Sequence, residues 1–164
     1  VRKVYGKFLQ KYPDIESLAK AEVKDIQKTI KPLGFHRQRA NQFKKMALAM
    51  MAEHDGKVPS NKEDLLKLDG IGDYVANAVL CFAFKKDEPI VDINVRRVVW
   101  RFFSWKDLSD NEVGERLGKI IPLGMARDFN WAIIDFSAIV CGRKRKCKKC
   151  FLSDLCSYFP SISK

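Results

Sequence analysis

The chain has 164 residues, enough for one domain or two small helical lobes sharing a core. Hydrophobic residues make up 46%, which excludes a disordered chain, and no uninterrupted apolar stretch reaches the length of a membrane span. With 31 Lys and Arg against 20 Asp and Glu, the net charge of +11 points to a polyanionic partner, since each cation placed on a phosphate releases a counterion.

Charge by itself leaves DNA, RNA and an anionic membrane open, beside a basic protein with no nucleic-acid role. Apolar spacing is helical nearly throughout, and no strand alternation appears. Val1, Val4, Tyr5, Phe8 and Leu9 share one face of a first helix. No Ser, Thr, Asp or Asn precedes it, so the chain is expected to begin inside a helix. No signal-peptide pattern opens it, so the expected location is intracellular: cytoplasm or nucleoid, or the nucleus of a eukaryote. Pro13 ends the first helix. Ile15 to Ala21 and Val23 to Ile30 read as two short helices, and Pro32-Leu33-Gly34 as a turn. A longer helix from Arg37 to Glu53 carries Phe43, Met46, Ala47 and Met50 on one face, the methionines as core filler. His54, beside a polar turn, reads as surface. Gly56 and Pro59 break the chain. Ser60 with Glu63, and Ser109 with Glu112, read as capping boxes. Trp131 to Val140 is a strongly apolar helix.

The first informative stretch runs from Leu65 to Val79. A short helix enters Gly70-Ile71-Gly72, and a second helix begins at once. Two glycines around one apolar residue permit a tight turn, with Ile71 plugged into the core. The turn leaves backbone N–H groups bare at a helix start, where they can bind a phosphate. An ordinary helix corner has the same glycines.

Next comes Pro89-Ile90-Val91-Asp92-Ile93-Asn94-Val95-Arg96-Arg97. Asp92 is expected at a helix N-cap. An Asp there can simply cap. The same position suits a negative charge, which can stabilise positive charge developing on a sugar and help orient water. Arg96 and Arg97 are suited to phosphates.

Cys141, Cys147, Cys150 and Cys156 are spaced C-x5-C-x2-C-x5-C. Four thiolates so spaced fit a [4Fe–4S] cluster or a tetrahedral zinc. Arg143, Lys144, Arg145, Lys146, Lys148 and Lys149 lie between the first three cysteines. Such a run repels itself unless an anion faces it, and a DNA backbone is the natural anion; the alternative is a solvated loop balanced by anionic cluster thiolates. Cys81, in an apolar run, reads as a core residue.

Hairpin, aspartate about 20 residues on, then four cysteines: this order resembles the helix-hairpin-helix DNA glycosylase superfamily, in the branch of endonuclease III and the mismatch glycosylases. Leu33-Gly34-Phe35-His36-Arg37-Gln38-Arg39-Ala40 resembles that family's loop before a helix near DNA. The resemblance implies an all-α fold, with a helical barrel lobe holding the hairpin (20–125) and a cluster lobe made from both chain ends (1–19 and 126–164). The active cleft is expected between them. It implies a [4Fe–4S] cluster on the four cysteines, with zinc as the alternative. The implied partner is double-stranded DNA with a mismatched or damaged base, bound by a monomer with no membrane contact. It implies Asp92 as the catalytic carboxylate. It implies Gly70, Ile71, Gly72, Leu33, Phe35, His36, Arg37, Arg39, Arg96, Arg143, Lys144, Arg145 and Lys146 at the DNA, with Leu33, Phe35 or His36 as a wedge.

Lyases of this family carry Lys two residues after the last hairpin glycine, where this chain has Tyr74. A phenol cannot form the Schiff base that strand cleavage needs. Adenine-specific members usually have Ser there. Tyr is similar to the enzymes that remove T, and often U, opposite G, which implies a monofunctional glycosylase with Tyr74 at the active site. Two departures stand out. The first cysteine spacing is one residue shorter than the family's usual C-x6-C. The family also has a helix before this chain's start, carrying the residue that fills the gap left by a flipped base, and its adenine-specific members have a further C-terminal domain; both are expected to be absent here. An adenine-specific glycosylase, an endonuclease III-like lyase and a non-catalytic DNA-binding module are the alternatives.

Overall fold

A computed structural model describes residues 2–159. These residues form nine α-helices and no strand: α1 Arg2–Lys11, α2 Ile15–Lys20, α3 Val23–Ile30, α4 His36–Glu53, α5 Lys62–Lys67, α6 Asp73–Phe82, α7 Ile93–Phe103, α8 Asp110–Ile120 and α9 Ala126–Ile139. Short 3-10 turns occupy Lys31–Leu33, Cys147–Lys149 and Ser153–Leu155. No described helix is long and apolar enough to cross a membrane. The chain divides into two compact units, one ending at Ala76 and one beginning at Asn77. Val1, on the expected face of α1, lies outside the described residues.

In the first unit, Ile26 and Ile30 of α3 pack with Leu18 of α2, with Ala40 and Ala47 of α4, and with Tyr12. The small alanines on α4 let the short helices approach its axis. Phe8 meets Tyr12 and Phe43 edge-on, at 5.1 and 5.8 Å between centroids. A capping box opens α2: Ser17 N donates to Asp14 Oδ1 at 2.7 Å, and the serine side chain answers. Its far end is closed by Lys44, which donates to the carbonyls of Ala19 and Ala21.

In the second unit, Val91, Val95 and Val99 pack against Val113 and Leu117 of α8, with Phe129 and Ile133 of α9. The loop before α7 is fixed by buried amides. Asn130 accepts from Ile90 N at 3.0 Å and donates to Glu88 O at 2.9 Å and Cys81 Sγ at 3.3 Å. Asn77 donates to Pro89 O at 2.9 Å. Leaving such a group unpaired costs about 1–3 kcal/mol, so the path into α7 is strongly specified. Cys81 is fully buried, as expected of a core residue.

The Ser109–Glu112 box forms as read. The Ser60–Glu63 box does not: the cap is Asn61, whose side chain accepts from Asp64 N at 2.8 Å. An amide at the next position offers the same acceptor one residue later, and the helix starts there. His54 is half-buried, with Nε2 buried and without a hydrogen-bond partner, rather than at the surface. The last long helix begins at Ala126, five residues before its apolar run, because Asp87 reaches across to accept from Gly124 N and Ala126 N at 2.7 and 3.3 Å.

Candidate active site and cysteine cavity

In the first unit, α5 runs into the turn and α6 starts at Asp73. Only Gly70 uses its freedom, with φ of +82°; Gly72 does not adopt positive φ. A Cβ on Gly70 would meet the Gln42 side chain at 3.1 Å, whereas one on Gly72 would meet nothing within 4 Å. Glycine at 72 therefore serves open space, not the bend. Ile71 is half-buried, and its N–H donates back to Leu68 O at 3.1 Å. No acceptor among the described residues takes the N–H of Gly70 or Gly72. The flanking carboxylates are offset: Asp69 lies 3.7 Å from Lys45, and Asp73 2.8 Å from Lys62. Tyr74, on the first turn of α6, is 48% exposed.

The loop before α4 presents Phe35 to solvent, 78% exposed and at φ of +45°, a conformation phenylalanine adopts at a cost. Leu33 instead packs against the core, and His36 is half-buried as the first residue of α4. Arg37 is exposed, while Arg39 donates from Nη1 to Leu33 O at 2.9 Å and so braces the loop.

In the second unit, Asp92 is the N-cap of α7. Its Oδ1 accepts from Asn94 N at 2.8 Å and Val95 N at 2.7 Å, and its Oδ2 from Asn94 Nδ2 at 2.8 Å. Three donors thus fix both oxygens of a half-buried carboxylate. The hydrogen bonds continue along the helix. Arg97 donates from Nη1 to Asn94 Oδ1 at 3.0 Å, from Nη2 to Ser137 O at 3.2 Å and from Nε to Cys141 O at 3.1 Å. Arg97, grouped in the sequence with phosphate-binding cations, is turned inward instead. Arg96 spends its guanidinium on Asp110 at 2.6 Å and on Leu108 O at 3.0 Å.

Cys141, Cys147, Cys150 and Cys156 line one cavity, with Arg101 and apolar walls that include Val98, Phe102 and Phe136. Burial pushes the Cys147 thiol up, Cys141 adds to this, and Arg145 opposes it; Cys156 and Cys150 act in the same direction as Cys141. The other three sulfurs are therefore within electrostatic reach of Cys147. Among the described residues, no three His, Cys, Asp or Glu side chains stand in a ligating arrangement. Arg143, Lys144, Arg145, Lys146, Lys148 and Lys149 are all exposed, and none takes part in an ion pair among the described residues.

Asn94 and Arg101 were not singled out from the sequence, and Arg97 was read there only as a phosphate contact. Their signal is the spacing i, i+3, i+7, which lines three polar side chains along one face of α7 after Asp92.

A model of the HhH-GPD superfamily of base excision DNA repair proteins matches residues 1–123, which include the hairpin and Asp92. The chain belongs to this superfamily. Its similarity extends beyond that span, through the cysteines. The chain is 42% identical to the thymine/uracil-DNA glycosylase of Methanothermobacter thermautotrophicus, over 99% of this chain and 76% of that protein. It is 34% identical to the thymine-DNA glycosylase of Aeropyrum pernix, over 97% and 75%. Among solved structures, a thermostable thymine-DNA glycosylase superposes with a TM-score of 0.93 at 42% identity, covering 98% of this chain and 76% of the other. A non-covalent endonuclease III–DNA complex gives 0.89 at 28% identity, covering 97% and 75%. The all-helical fold is that of the superfamily.

Proposed function

We infer that this chain is a monofunctional DNA glycosylase of base excision repair that removes T or U mispaired with G. The observation that carries the chemistry is the Asp92 carboxylate, held at the N-terminus of α7 by three donors. Hydrolysis of an N-glycosidic bond builds oxocarbenium-like charge on the sugar. A pre-positioned carboxylate stabilises that charge without reorganising, and it orients or deprotonates the attacking water. The relatives at 42% and 34% identity, named thymine or uracil glycosylases, support the choice of base. Tyr74 supports hydrolysis over lyase chemistry, because a phenol forms no Schiff base.

The partner is double-stranded DNA. The unclaimed N–H groups of Gly70 and Gly72 at the start of α6 suit a phosphate, and Gly72 leaves room for its approach. The exposed cations from Arg143 to Lys149 suit further phosphates. Phe35 is the fittest wedge of the three candidates, being the most exposed and held in a strained backbone. A mismatched base leaves the stack at lower cost, since its pairing is already weak.

Cys141, Cys147, Cys150 and Cys156 would hold a [4Fe–4S] cluster. The fit rests on four sulfurs around one cavity and on the buried Arg101 guanidinium beside the Cys141 sulfur. Bound there, the cluster would cross-link the C-terminal loop; hydrolysis needs no electron from it.

The test is base release from labelled duplexes holding T:G, U:G, A:G or A opposite oxidised G, with and without alkali. Release of T or U with cleavage only after alkali is the expected result. Release of A, or strand cleavage without alkali, would overturn the assignment.

A further inference from the structure

We propose that Arg101 is a positioning residue for the metal-bound cysteines: it supplies the buried counter-charge that holds the Cys141 sulfur in place. This rests on the four cysteines binding a metal, as proposed above.

Arg101 is a buried cation, 9% exposed. No carboxylate lies within ion-pair distance of it among the described residues. Burying a charge without an opposite charge is costly, and real proteins arrange a partner. The groups around Arg101 identify that partner. Its Nη1 lies 3.6 Å from Cys141 Sγ, 3.2 Å from Cys141 O and 2.9 Å from Gly142 O. Its own carbonyl lies 3.6 Å from Cys156 Sγ, so one residue of α7 touches the first and last cysteines together. The Tyr158 ring, with its centroid 5.6 Å from the guanidinium carbon, covers it two residues after Cys156.

As free thiols the cysteines are neutral and leave Arg101 uncompensated. Metal binding takes the thiolate form, and a four-thiolate centre remains anionic with its metal in place. The cation and the bound centre then neutralise one another in a largely apolar cavity, where the attraction is less screened than in water. The chain's cations thus divide. Those at Arg143 to Lys149 are exposed, whereas Arg101 is buried.

The experiment compares wild type with Arg101→Met, which keeps length and apolar volume but removes the charge, and with Arg101→Lys, which keeps the charge. Iron, acid-labile sulfide and zinc are measured per chain. Metal loss to a chelator is then followed, with helix content checked by circular dichroism. Arg101→Met should retain helix content but release metal about tenfold faster or more, and Arg101→Lys should recover most of the difference. Equal release from wild type and Arg101→Met overturns the proposal. So does equally fast release from the Met and Lys variants, which would assign Arg101 to bracing the loop carbonyls alone. If Arg101→Met does not fold, Arg101→Gln carries the same comparison. Wild type holding zinc overturns the iron–sulfur assignment alone, and zinc release then decides Arg101 by the same criterion. Wild type holding no metal overturns both.

Discussion

Arg97 joins Asp92's helix to the first cysteine: its Nε donates to the carbonyl oxygen of Cys141 at 3.1 Å. Its Nη1 reaches Asn94, which in turn holds Asp92 Oδ2. The proposed catalytic carboxylate and the cysteine cavity are therefore ends of one hydrogen-bonded line along α7. Ordering of the loop at Cys141 therefore bears on the Asn94 side chain, one of the three donors to Asp92.

Replacing Arg97 with Met should lower stability by about 2–3 kcal/mol, from the loss of charge-assisted bonds to Asn94, Ser137 and Cys141. Urea unfolding monitors this. Base release should slow in the same variant although Asp92 is intact, because Asn94 loses the partner that fixes its amide.

Asp92→Asn separates capping from catalysis. Asn caps a helix as well as Asp, so stability should stay within about 1 kcal/mol, with a small penalty where the new amide faces Asn94 Nδ2. Single-turnover base release should fall about 100-fold or more. Loss of both together would return Asp92 to a capping role.

Tyr74→Lys places an amine where the family's lyases have one. Borohydride should then trap a covalent DNA adduct, and nicking should appear without alkali. Wild type should give neither.

The two hairpin glycines should behave differently. Gly70→Ala forces a positive φ on alanine beside Gln42 and should cost about 1–2 kcal/mol in thermal or urea unfolding. Gly72→Ala meets no atom and should leave stability unchanged while weakening duplex binding. Unchanged binding would remove the phosphate from this turn.

Changing Arg143, Lys144, Arg145 and Lys146 to Gln should weaken binding of matched and mismatched duplexes alike. The slope of log affinity against log salt should flatten by about 0.9 for each phosphate that is no longer neutralised. Arg96→Gln should alter it less, since Arg96 is already paired with Asp110.

The helices, the hairpin, the acid at a helix start and the cysteine spacing were legible in the sequence, because each is local. Apolar periodicity sets a helix, a glycine sets a left-handed turn, and an Asp before an apolar run sets a cap. The tertiary structure decided which cations are available. Arg96 and Arg97 are neighbours of equal charge, yet one pairs with Asp110 and the other turns to Asn94 and Cys141. That choice depends on α8, α9 and the cysteine loop, all distant in sequence. The same holds for Asn61 over Ser60, for the buried Nε2 of His54, and for Asp87 extending α9 back to Ala126. Local pattern specifies where a helix forms; where a long side chain spends its hydrogen bonds is set by what packs beside it.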